Sequence, residues 1–180
     1  MLLPETKFSQ VVDKALIRIG EAISWVWLLL LVVIVLNVVM RYFFGMGRIE
    51  FEEIQWHLYA IGFLTGLSYA YVLDAHVRID VVRSNLSYQT MAWIELYGTL
   101  LLLLPFILLV LNFVIPFVSY SYATNEVSEA PAGLPYRYLI KAMLGIGFVL
   151  LLVAVCSRLT RIWAFLFAWP RLVEEGKSNE

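Results

Sequence analysis

Charge is what this sequence has least of. Asp, Glu, Lys and Arg together make up 15 % of its 180 residues, where a soluble domain carries about a quarter. The charges nearly cancel, leaving a net −1, so no global field favours nucleic acid. One cysteine, Cys156, excludes an intrachain disulfide. Two histidines, His57 and His76, are too few for the paired sites that clamp haem between membrane helices. They stand 19 residues apart on or beside one segment, about 28 Å along a helix. Glu53 and His57 are spaced i, i+4 and occur once, whereas a di-iron carboxylate site repeats Glu-x-x-His on two helices. There is no zinc spacing, no phosphate-binding loop, and no Ser or Cys beside a plausible base at depth. What fills the chain instead is apolar: 62 % hydrophobic residues and a mean hydropathy of +0.82. The class these numbers define is an integral membrane protein without catalytic machinery.

The stretch from Glu50 to Asp80 organises the rest. Three carboxylates, Glu50, Glu52 and Glu53, precede His57, and almost no charge follows from Leu58 to Leu73. Counted from Glu52, the segment is about 22 residues, or roughly 33 Å of helix, which is the thickness of a hydrocarbon core. Charged groups at both ends of such a segment ask for partners.

The pattern predicts an all-α integral membrane protein of four transmembrane helices preceded by an amphipathic interfacial helix. Residues 1–21 supply the interfacial helix, with Phe8, Val11, Val12, Ala15, Leu16 and Ile19 at helical spacing. Early charges from Glu5 to Glu21 exclude a cleavable signal peptide. The membrane domain, 22–165, holds spans at about 22–44, 52–74, 91–118 and 138–163, and 166–180 form a short polar tail. Asn37 and Arg41 share a face of span one. Arg41 either snorkels to the headgroups or meets Glu52 or Glu53 across the tight connection Gly45-Met46-Gly47-Arg48. Gly62, Gly66 and Ala70 give span two a small-residue face for close helix approach. Ser87 or Asn85 caps span three, which Pro105 and Pro116 bend or end, and Asn112 is its deep polar residue.

Lys and Arg set the orientation. Nine of them (Lys7, Lys14, Arg18, Arg78, Arg83, Arg158, Arg161, Arg171 and Lys177) fall on one side, against Arg41, Arg48, Arg137 and Lys141 on the other. The count places both termini in the cytoplasm and the first and third loops outside. No internal repeat or midplane charge marks a substrate path, so transport by this chain alone is not expected.

Several segments carry a family resemblance. They are the pair Glu52-Glu53, the segment His76-Val77-Arg78-Ile79-Asp80, and Gly98-Thr99 followed by Leu100 to Leu104, Pro105 and Phe106. Leu134-Pro135-Tyr136-Arg137-Tyr138-Leu139-Ile140-Lys141-Ala142 completes the set. With four spans, they resemble the small membrane subunit, of the DctQ type, of tripartite ATP-independent periplasmic (TRAP) transporters over residues 15 to 165. The last segment resembles the branch labelled mannitol or chloroaromatic transport. The resemblance implies a Gram-negative bacterial inner membrane and a large membrane subunit that carries the substrate and sodium sites. A periplasmic binding protein would deliver small organic acids or related solutes. The small subunit would be an auxiliary scaffold among membrane lipids, with no cofactor of its own. Residues expected at the subunit interface or in its local structure are Arg41, Glu52, Glu53, His57, Gly62, Gly66, Ala70, Arg78 and Asp80. Those expected to dock the binding protein are Arg48, Glu50, Glu126, Glu129 and Arg137. The alternative from another class is a small membrane anchor for a quinone-linked redox complex.

Overall fold

The computed structural model describes residues 3–76, 86–131 and 133–169; Arg78, Asp80, Asn85 and the tail from 170 onward lie outside the described residues. Four helices carry the fold: α1 Lys7–Phe43, α2 Ile49–Val72, α3 Tyr88–Ala123 and α4 Arg137–Phe167. α1 runs along α2, while α4 packs against α1, α2 and α3 and so forms the centre of the bundle.

The interfacial helix and the first span are one continuous helix of 37 residues, which corrects the expected division at residue 21. A capping box starts it: Ser9 N–H donates to Thr6 Oγ1 at 3.1 Å and Thr6 N–H to Ser9 Oγ at 3.0 Å. No proline follows, and Gly20, the one residue weak in a helix, is where the Tyr69 ring lies against the backbone. A Cβ there would come within 2.2 Å of Tyr69 Cδ2. Protein covers the apolar face of residues 7–21 only in part: Leu16 and Ser9 are buried and Asp13 pairs with Arg161, whereas Phe8, Val11, Ala15 and Ile19 stay exposed. At about 55 Å, α1 is longer than a hydrocarbon core, so part of it projects beyond the slab.

Among the described residues, α1, α3 and α4 are long and apolar enough to cross a membrane. α2 falls short because Gln55, His57, Thr65, Ser68 and three tyrosines dilute it. The expected four apolar spans plus an interfacial helix are therefore three apolar helices and one more polar helix. The polarity of α2 points inward: Thr65 and Ser68 are buried and return their hydroxyls to the carbonyls of Ile61 and Thr65, at 2.6 and 2.8 Å.

The connection between α1 and α2 is as tight as the glycines suggest. Gly45 takes φ +64°, and Met46 N–H reaches back to Met40 O at 3.1 Å, as in a helix C-terminus closed by a left-handed residue. Ser87 caps α3, accepting from Thr90 N–H at 3.1 Å. Within α3, residues Thr99–Leu103 form a wider π-turn in which Leu104 N–H bonds to Thr99 O. Pro105 follows directly and has no N–H to give, so the extra residue per turn takes up its ring without breaking the helix. Pro116 is also held inside the helix. The end expected near 118 lies instead at Ala123. α4 continues to Phe167, past the expected 163 and into the residues assigned to the tail.

The apolar core is Ile107, Phe148, Leu151 and Val155 between α3 and α4, with Leu64, Tyr71 and Leu144 packed against it. A second cluster at the other end joins Leu3, Ala92, Leu96 and Ile162. The closest helix approach is at Gly147, where a Cβ would lie 2.8 Å from Leu64 Cβ and 3.0 Å from Leu64 O. Gly62 lies under the Trp27 ring, but a Cβ on Gly66 would meet nothing within 4 Å. Gly147→Leu should therefore destabilise the bundle by about 1–3 kcal/mol. Gly66→Leu should change it by no more than about 0.5 kcal/mol. Thermal unfolding of the purified protein in detergent checks both, and equal losses for the two variants would refute the assignment.

Candidate functional site

The charged side chains gather at the two ends of the bundle. At the end where α1 begins, Arg158 of α4 is 7 % exposed. Its Nε donates to Glu95 Oε1 on α3 at 2.6 Å, and its Nη2 to Asp74 Oδ1 beyond the end of α2 at 3.2 Å. One turn further on, Arg161 donates from Nη1 to Asp13 Oδ2 of α1 at 3.3 Å and from Nη2 to the Leu3 carbonyl at 2.9 Å. Ser157 Oγ donates to Asp13 Oδ1 at 2.6 Å. Thr6 and Thr160 bring their hydroxyls within 3.3 Å. All four helices are thus tied together by four polar positions within about one turn of α4, Ser157, Arg158, Thr160 and Arg161. A cavity of about 520 Å3 opens beside this cluster between α2 and α3, floored by α4. Tyr71, Thr99, Leu103, Phe106 and Phe148 are among its walls, with Arg158 at its polar end.

At the opposite end, Glu53 is buried at 4 % exposure and holds the loop between α3 and α4. Leu134 N–H donates to its Oε2 at 2.6 Å, and the Ser128 hydroxyl donates to its Oε1. The His57 ring turns Nδ1 to the Glu53 carbonyl at 2.6 Å. Glu126 in the same loop takes Lys141 of α4 and stands 3.8 Å from Arg137; Lys141 Nζ also sits 4.2 Å from the centre of the Phe117 ring. The hydrogen bond from Lys141, aided by the charge of Arg137, holds the Glu126 carboxyl below the ordinary carboxylate range.

These contacts correct one expectation. Arg41 lies exposed in the last turn of α1 and is not the partner of Glu53, whose oxygens are filled by the loop. Glu52 is exposed. The helical phase of α2 explains the difference, since it turns Glu53 toward α4 and the loop while Arg41 points away. Of the other expected residues, Gly62 is buried, and Gly66, Ala70 and His57 are half-buried. Arg48 and Glu129 are exposed, Glu50 is half-buried, and Glu126 and Arg137 belong to the ion cluster at the loop end. Sequence reasoning missed Arg158, Glu95 and Asp13. The available signal was a charge inside a span, because Glu95 and Arg158 fall within the limits expected for spans three and four.

Chemically, the arrangement ties helices together. No group of three potential metal ligands exists among the described residues, and the buried guanidinium and carboxylates occupy one another.

The fold and its two polar ends define a multi-pass, all-α membrane protein with an apolar middle. Residues 30–165 match the model of the family described as Tripartite ATP-independent periplasmic transporters, DctQ component. The chain belongs to that family: it is a small membrane component of a TRAP transporter, which is not an enzyme and which works with partner subunits. A search of the curated proteins found no matching relative.

Arg158→Met should lower stability by about 3 kcal/mol, since it removes the buried guanidinium that donates to both Glu95 and Asp74. Arg158→Lys should recover part of this; denaturation in detergent reads both. Protonation of Glu126 provides a second check. Its lowered pKa gives stability that is fully present above the ordinary carboxylate value and is lost as pH falls through the lowered one. The difference in Tm between the protein and Glu126→Gln should therefore be constant near neutral pH and shrink in acid; a difference that grows in acid would refute the sign.

Proposed function

We propose that this chain is the static scaffold subunit of a sodium-coupled, binding-protein-dependent importer of small organic acids or related solutes. It packs against the large transport subunit and helps dock the periplasmic binding protein. Substrate and sodium are handled by the large subunit. The observation that carries this reading is the distribution of charge. Glu53 and Asp74 are separated by about 31 Å along α2, one hydrocarbon thickness, and between these levels the centre of the bundle is Ile107, Phe148, Leu151 and Val155. A bundle with ion clusters at its two faces and an apolar plug between them is anchored in the bilayer but offers no polar route through itself.

The same spacing supports a crossing by α2. It is 24 residues long and lies against α1 and α4 over the same thickness, so its polar groups are sheltered by protein. With four crossings both termini share one side, and the Lys and Arg count puts that side in the cytoplasm. Arg137 and Lys141, which oppose the count, share the countercharge of Glu126. The loop from Asn125 to Tyr136, held by Glu53 and with Glu129 exposed, then faces the periplasm, as do Arg48 and Glu50. The segment from Leu134 to Ala142 supports placement in the branch labelled mannitol or chloroaromatic transport. The family match leaves no support for the redox-anchor alternative.

Two measurements test the reading. Gly45→Cys and Glu129→Cys should react with an impermeant thiol reagent added outside the inner membrane, and Ser87→Cys should not; labelling at Ser87 alone would invert the orientation. The tagged chain, purified from its own membrane in mild detergent, should bring with it the large TRAP membrane subunit in stoichiometric amount. Recovery without that subunit would sink the scaffold role.

A further inference from the structure

The outward face of α3 carries a polar group that the chain itself leaves unserved. Asn112 is exposed among Leu108, Leu109, Phe113 and Ile115, which are also exposed. It lies about 8 Å inside the level of Phe117 and Lys141 and about 25 Å from Glu95 along the helix, so its amide stands within the apolar slab. Among the described residues its side chain makes no hydrogen bond. The main chain adds to the deficit. Pro116 stands four residues later inside the helix and has no N–H for the Asn112 carbonyl. The nearby Ser119 hydroxyl does not serve it either, donating instead to Pro116 O at 3.1 Å. One site therefore presents two donors and a carbonyl oxygen from the side chain, and a main-chain carbonyl that has lost its regular donor, to a solvent that can neither donate nor accept.

The other apolar outer face, on α1, has no exposed polar side chain left without a hydrogen bond at comparable depth, although Asn37 also makes none among the described residues. Ser24 returns its hydroxyl to Glu21 O at 2.6 Å, Asn37 is half-buried, and Arg18 and Glu21 are near enough to the end of the slab for their long side chains to reach the headgroups. Beside Asn112, α3 and α4 also form an apolar groove of about 450 Å3 lined by Leu109, Val110, Phe113, Val114, Phe117 and Leu144.

We infer that this face of α3 is the contact with a transmembrane helix of the large membrane subunit, and that Asn112 is its polar anchor. The occupant is a helix that lays aliphatic side chains in the groove and offers a hydroxyl or amide at the depth of Asn112. Lipid tails fit the groove but leave the amide and the carbonyl unserved, whereas a helix with a Ser, Thr, Asn or Gln at that level satisfies both. The inference rests on the scaffold reading given above.

The test uses the whole complex in its membrane. A photoactivatable amino acid is placed at Leu108 or Ile115 on this face and, separately, at Val35 on α1. Cross-linking from Leu108 and Ile115 to the large subunit, at least several-fold above that from Val35, is the expected result. Asn112→Leu should also reduce recovery of the large subunit several-fold without lowering the amount of this chain in the membrane. Recovery at the original level would remove Asn112 as anchor. Cross-linking mainly from Val35 would overturn the choice of face while leaving the scaffold reading intact. Cross-links between two copies of this chain, or to lipid only, would overturn the partner. If the large subunit is never recovered with the chain, the scaffold reading fails and this inference with it.

Discussion

Two arginines one helical turn apart hold the bundle at the end where α1 begins. Arg158 draws in Asp74 after α2 and Glu95 on α3; Arg161 draws in Asp13 on α1 and the Leu3 carbonyl. Each of these charges is costly in hydrocarbon if left alone, and the ion pairs described form when separate segments converge on α4. Lipid-facing apolar surface cannot supply that specificity, because one apolar helix face is as well solvated by lipid as another. The ion cluster therefore fixes register and partner choice among helices that the bilayer alone would leave interchangeable.

Close packing does the rest, and it acts where glycine removes a side chain. Gly147 lets α4 approach the backbone of α2 at Leu64, and Gly20 lets α1 close on Tyr69. The three helices α1, α2 and α4 meet along these contacts, which leaves α3 bound to α4 on the other side and opens the cavity between α2 and α3. At the opposite end Glu53 fastens the loop to α2, and Glu126 fastens it to α4 through Lys141. The surface presented at that end is in this way shaped by Glu53 of α2 together with the loop's own Glu126.

The proposed scaffold role suits a small subunit built like this. Its ends are cross-braced by ion pairs, its middle is apolar, and its most buried helix, α4, carries the arginines that bind the others. In the proposed scaffold role, movement and substrate binding fall to other parts of the assembly, and what this chain offers them is surface.

The amino-acid sequence by itself determined the class, the approximate helix limits, and the absence of catalytic chemistry. Those follow from composition and from apolar runs long enough to span a bilayer, which are local properties. It also carried the tight α1–α2 turn, because Gly45 is read from two residues of context, and the Ser87 cap for the same reason. Tertiary structure decided which charges are partners. Arg41 and Glu53 are close in sequence and on adjacent helix ends, yet helical phase turns Glu53 to Leu134 and leaves Arg41 exposed. Arg158 and Arg161 read as ordinary cytoplasmic-side charges until Glu95, Asp74 and Asp13 are brought to them from 63, 84 and 148 positions away. The merging of the amphipathic segment with the first span was likewise hidden. Its periodicity shows only that one face needs cover, and whether headgroups or a neighbouring helix provide it depends on contacts that exist only after the chain has folded.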